Sequence, residues 1–185
     1  RGVGDVYKRQ VLKTTLAYHN HGMIEDFYGI NLRHLLRMAE QYYGNEDLTI
    51  WMPHTDATRG PYTDGMLHRC AVMHKAITIM QLKLENRLIR ENPEYGMENR
   101  RLLEKIDYQN GTVTIGEKTY ALRDKSFPTI DPAHPDELTE KEAEVLDKLI
   151  FAFRNSEKLQ AHVDFLLKKG SLYRVYNGNL LYHGC

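Results

Sequence analysis

The chain has 185 residues, room for one domain or a large fragment of one, and its 25 Lys and Arg balance 25 Asp and Glu. Zero net charge excludes the basic excess of a dedicated nucleic-acid or anionic-membrane binder, and 42% hydrophobic with 27% charged residues excludes intrinsic disorder. No apolar run nears a membrane span, and two cysteines, Cys70 and Cys185, do not make a disulfide framework, so a reducing cytoplasm is the default.

Residues 1–10 show neither helical nor strand period and resemble translated adapter sequence, so they are expected to lie outside the fold. Val11 to His19 reads as the tail of a helix, followed by a turn. Asn31 is a good N-cap for a helix with Leu32, Leu35, Leu36, Ala39 and Tyr43 on one stripe, and Gly44 stands where its C-terminal glycine belongs. Asn45 to Tyr62, with Trp51 and two prolines, reads as a structured loop. Met66, Cys70, Met73, Ile77, Met80 and Leu84 alternate steps of four and three, which predicts the longest helix, ending before Pro93.

A short helix is expected over Met97 to Lys105, then a hairpin near Thr112 to Leu122 with its turn at Gly116 to Lys118. Residues 127–138 hold three of the six prolines and form an extended connector. Thr139 with Glu142 makes a capping box for a helix whose inner face is Leu146, Leu149, Ile150 and Phe153. Ser156 opens another helix, with Leu159, Val163, Leu166 and Leu167 expected inside. Asn177-Gly178 between two apolar runs predicts a second hairpin, Ser171 to His183. The fold class expected is thus α+β, mainly helical with two β-hairpins. Its divisions are 11–130, a helical region with a hairpin, and 131–185, a helical pair and hairpin. The abrupt stop after that last strand reads as an internal fragment.

Nine histidines raise the question of metal. His19 and His21, with Asp26 nearby, have spacing that suits ligands on a loop, but a polar turn after a helix is the commoner case. His54, Asp56 and Arg59 could meet a phosphate or form an ordinary ion pair. His68 and His74 are six apart on a helix and face different ways, and His74 reads as a partly buried, hydrogen-bonded residue. Asn110-Gly111-Thr112 means only a turn. His183 ends an apolar strand and precedes Gly184, where a rigid strand could fix an imidazole for a ligand or metal.

The strings YGINLRHL, MHKAITIMQLKLENRLI, FPTIDPAHP, SEKLQAHVDFL and GSLYRVYNGNLLYHGC, in that order, resemble the class III fructose-1,6-bisphosphatases from about Val11 onward. The resemblance implies part of a calcineurin-like α/β/β/α metallophosphoesterase sandwich with a helical insertion. It also implies a divalent metal, typically Mn2+, and hydrolysis of fructose 1,6-bisphosphate to fructose 6-phosphate and phosphate in gluconeogenesis. The family's Asp-x-His, Gly-Asp-x-x-Asp-Arg, Gly-Asn-His-Asp and final Gly-His motifs are not in this sequence. Only the His-Gly element matches, as in the His-Gly-Gly of phosphoprotein phosphatases. By that match His183 is expected to be a metal ligand, and no catalytic residue can be carried over. The implied partner is a sugar bisphosphate, with no nucleic acid and no membrane; a homo-oligomer is compatible. A lone piece of such an enzyme is expected to be inactive. Two alternatives stand beside this reading: another metallophosphatase of the protein-phosphatase kind, and a non-enzymatic helical module docking a partner on the Met66 to Leu84 stripe.

Overall fold

The computed structural model describes residues 3–55 and 62–182, with side chains from residue 10 onward. Its elements are helices α1 (Val3–Ala17), α2 (Arg33–Tyr43), α3 (Asp64–Glu91), α4 (Glu140–Asn155) and α5 (Glu157–Lys169), and strands β1 (Ile106–Asp107), β2 (Thr112–Ile115), β3 (Lys118–Ala121), β4 (Tyr173–Tyr176) and β5 (Asn179–Tyr182). The molecule is mixed and mainly helical, with two small antiparallel sheets, ordered β1-β2-β3 and β4-β5. Both expected hairpins form.

α3 is the axis. Thr63 caps it, its hydroxyl accepting the Met66 N–H at 3.2 Å, and the helix stops at Glu91, two residues short of Pro93. Cys70, Met73, Ile77 and Met80 of the expected stripe are buried, although Met66 at its start is exposed. Burial extends beyond the stripe, because α1 and α2 cover one side of α3 while Ile79 turns to a smaller cluster with Leu103 and Ile130. The stripe is therefore core, which removes the docking-module reading. The main core joins Leu12 and Leu16 of α1, Leu35, Met38, Ala39 and Tyr43 of α2, and Val145, Leu146, Leu149 and Phe153 of α4. It thus draws on residues from both sides of position 130.

Local rules hold where their partners are near in sequence. The Thr139 hydroxyl accepts the Glu142 N–H at 3.2 Å while Glu142 Oε2 accepts the Thr139 N–H at 2.8 Å, a complete capping box. Gly44 directly follows α2 but is right-handed (φ −61°); a Cβ there would approach the Glu40 carbonyl oxygen to 2.5 Å. Asn31 acts one place earlier than expected: Leu32 is the cap residue, and Asn31 Oδ1 accepts the Arg33 N–H at 2.8 Å.

Four expectations need correction. Residues 3–10, read as aperiodic, are helical and continuous with the rest of α1, since no proline breaks the run. Met97 to Lys105 is not an α-helix. The chain makes separate 3₁₀ turns at Pro93–Tyr95, Glu98–Arg100 and Leu102–Lys105, broken by Gly96 at φ 61°. The first hairpin gains a third strand, β1, which pairs Ile106 with Val113 across the turn at Asn110 and Gly111. Finally, α5 is not packed as its periodicity suggests. Leu159 touches the main core, but Val163, Leu166 and Leu167 are 39%, 64% and 78% exposed. The first half of α5 is tied down, by Ser156 Oγ donating to the Tyr28 carbonyl at 2.7 Å and by Tyr28 Oη 3.2 Å from His162 Nδ1.

Candidate functional site

His183, the metal ligand expected from the His-Gly element, lies outside the described residues, and so do Gly184 and Cys185. The strand leading to it is described. β4 and β5 pair Tyr173 with Tyr182 and Val175 with Leu180, and the turn places Asn177 at φ 48° and Gly178 at φ 74°. Two successive left-handed residues match the right-handed strand twist, which explains why Asn-Gly fits there. All eight of its strand residues are exposed, although the runs on either side of the turn are rich in apolar residues.

The other histidines resolve singly. The rings of His19 and His21 lie 5.2 Å apart, and His21 Nδ1 is 3.7 Å from Cys70 Sγ. Burial pushes His21 below the ordinary histidine pKa, helped by His19, and burial pushes the Cys70 thiol up to about 12. That is a protonated, unreactive thiol. His19 is left-handed at φ 54° and its ring packs on Tyr62 at 4.7 Å. His54 donates its backbone N–H to the Ala17 carbonyl at 2.7 Å, while Asp56 and Arg59 lie outside the described residues. His68 Nε2 sits 3.4 Å from Glu40, and His74 Nδ1 meets the Trp51 carbonyl at 3.1 Å. They point to different neighbours, as their spacing predicts. Among the described residues, no group of three or more His, Cys, Asp or Glu could hold a metal ion.

Sequence reasoning missed two buried lysines. Lys75 is fully sealed and binds both Glu46 and Asp124 (2.6 Å to the latter), with its ammonium 5.1 Å from the Tyr43 ring. Burial raises the Asp124 pKa, but Lys75, the Ser126 N–H and the Trp51 indole N–H outweigh it, and the carboxyl ends below its usual range. Above this brace lies a surface cavity of about 500 Å3, lined by Asp47, Ile50, Arg123 and Lys125 besides the acids. The second lysine, Lys83, donates to Glu142 at 2.7 Å and to the Thr129 carbonyl at 2.5 Å. A lysine inside an apolar helix run, as in AVMHKAITIM, was the available signal. Each ammonium is spent on carboxylate or carbonyl partners, so both clusters brace the fold. Neither offers a free nucleophile or base beside a substrate cavity.

The comparisons with known proteins agree with one another. The family model described as Firmicute fructose-1,6-bisphosphatase matches residues 4–185. The chain is similar to the fructose-1,6-bisphosphatase class 3 of Bacillus velezensis, 47% identical over 175 residues, 95% of this chain and 26% of the relative. It is also similar to that of Bacteroides thetaiotaomicron, 46% identical over 94% of this chain and 26% of the relative, and to that of Clostridium tetani, 47% identical over 95% and 26%. The chain therefore spans about a quarter of the length of these curated relatives. No solved structure matches it.

Proposed function

Because the chain belongs to the Firmicute fructose-1,6-bisphosphatase family, we propose that it is part of a longer hydrolase that converts fructose 1,6-bisphosphate to fructose 6-phosphate and phosphate in gluconeogenesis. The observation that carries this reading is near-complete coverage of the chain at 47% identity, by relatives of which it forms only 26%. In this reading the chain supplies a helical region and one strand hairpin, and the hairpin joins a calcineurin-like sandwich. The exposed apolar residues Leu172, Val175, Leu180 and Leu181 support that placement, since a hairpin needs further strands or a helix for stability.

Phosphomonoester hydrolysis is extremely slow without catalysis, and a two-metal site lowers its barrier by activating water and neutralising phosphoryl oxygens. Such a site draws ligands from several strand ends. The described residues do not build one, so no step through manganese is assigned to them. His183 is the one contribution we propose to that centre. An imidazole at a strand end can coordinate through one nitrogen while its other N–H finds an acceptor. A cytoplasmic enzyme acting on a small sugar bisphosphate, with neither nucleic acid nor membrane as partner, completes the proposal. No helix among the described residues is long and apolar enough to cross a membrane.

The test is His183→Ala in the longer enzyme, with metal content and turnover measured at several manganese concentrations. Loss of bound metal together with a turnover loss of at least ~100-fold is expected, in line with losing an inner ligand. Full metal occupancy with near-normal turnover would overturn the assignment.

A further inference from the structure

α2 and α4 meet along a surface groove of about 240 Å3 whose floor is formed by the buried side chains of Met38 and Val145. His34, Arg37 and Gln41 line it from α2, and Lys141, Glu144 and Lys148 repeat the same spacing on α4. Steps of three and four keep each set on one helix face, so two polar rows look at each other across an apolar floor. The groove concentrates three fixed cations against one carboxylate in a chain whose charges balance. Glu144 is already engaged by Lys148 at 2.5 Å. Lys148 Nζ also lies 3.4 Å from His34 Nδ1. An ammonium has no lone pair, so at that contact Lys148 can only donate. Lys141 spends one N–H on Gln41 Oε1 at 2.5 Å. Arg37 has no hydrogen-bond or ion-pair partner among the described residues.

We propose that this groove binds a small phosphoryl anion, with the Arg37 guanidinium as a planar fork and Lys141 and Lys148 as flanking charges. A guanidinium matches two phosphoryl oxygens at once, and an ammonium adds a point charge to a third. Cations facing one another across a helix pair repel, and a dianion between them turns that repulsion into attraction. The volume takes a phosphate group and a small remainder and is too small for a folded segment of another protein. The inference rests on α2 and α4 alone and is independent of the enzymatic reading above.

Inorganic phosphate and methyl phosphate are titrated separately into the protein at constant ionic strength, with sodium chloride as the balancing salt. The His34 ring-proton resonances and the Arg37 side-chain N–H report binding. Saturable shifts are expected, absent with chloride. Arg37→Gln and Lys148→Gln should each weaken the apparent Kd at least fivefold, and Glu144→Gln should tighten it by removing the competing carboxylate. All three side chains are exposed, and unchanged melting temperatures verify that the variants stay folded. Tighter binding of one probe tells free phosphate from a phosphate monoester as the source. Non-saturating drift, or equal shifts in both lysine and arginine variants, would overturn the site and leave only nonspecific surface attraction.

Discussion

Lys83 and Glu142 hold opposite charges 2.7 Å apart with both side chains sealed from water. Burial draws the Lys83 pKa below its ordinary value against the pull of Glu142, so the pair stands only while both members are present. Removing one charge strands the other, which typically costs about 3–5 kcal/mol, roughly three to five times a lost helix cap. Glu142→Gln is therefore expected to destabilise by about 3–5 kcal/mol and Thr139→Ala by about 1 kcal/mol, read from urea midpoints. Equal losses would mean that Glu142 matters only as a cap. Histidines give a second prediction at this scale. Burial holds both His21 and His74 below the ordinary histidine value of 6.5. As pH falls through 6.5 the unfolded chain takes up protons at these sites before the folded one does, so stability drops. Melting temperature should fall between pH 7.5 and 5.5, and His74→Gln should flatten that slope. An unchanged slope in the variant would place the pH dependence elsewhere.

Among the elements, α4 and α5 are contrasting helices with similar apolar periodicity. α4 drives Leu149 and Phe153 into the main core at 5% and 6% exposure, whereas α5 leaves Phe165, Leu166 and Leu167 more than 60% exposed. Leu149→Ala should cost ~2–5 kcal/mol through lost transfer and the cavity left behind. Leu167→Lys in this 185-residue chain should stay within ~0.5 kcal/mol, because an exposed side chain loses little. In the longer enzyme proposed above, the same Leu167→Lys change is expected to destabilise, because the exposed apolar face of α5 adjoins the hairpin and would be covered with it. Comparable denaturation midpoints for both α5 chains would count against that packing. Between residues 93 and 105, glycine and proline interrupt a sequence whose acidic and basic residues alone favour a helix, and short 3₁₀ turns result.

For the whole molecule, the helical core is closed around α3, while the α5 and hairpin surface remains uncovered. An exposed apolar patch of that kind binds reporter dyes and promotes association. Among the described residues, no group of three or more His, Cys, Asp or Glu could hold a metal ion. The 185-residue chain by itself should release no phosphate from fructose 1,6-bisphosphate at any manganese concentration. Metal-dependent turnover by the purified chain would refute this.

What the sequence alone determined is whatever closes within a few residues. The Thr139–Glu142 box, the Ser156 cap, the Asn177-Gly178 turn and the stop before Pro93 each join groups at most four positions apart, so their chemistry is visible in the string. The ordered family strings are legible there too, and the family match confirms them. His183 is legible only as one half of a His-Gly pair, because the metal site proposed for it would need ligands from distant parts of a longer chain. Tertiary structure decided which apolar stripes are covered and where buried charges find partners. Periodicity shows that a helix has an apolar face, and it is the same for α4 and α5 whether or not anything packs on it. Lys75 reaches Glu46 across 29 residues and Lys83 reaches Glu142 across 59, pairings set by how α3 threads between α2, α4 and the loops. A buried ion pair depends on the low-dielectric space around it, and that space exists only once the chain has closed.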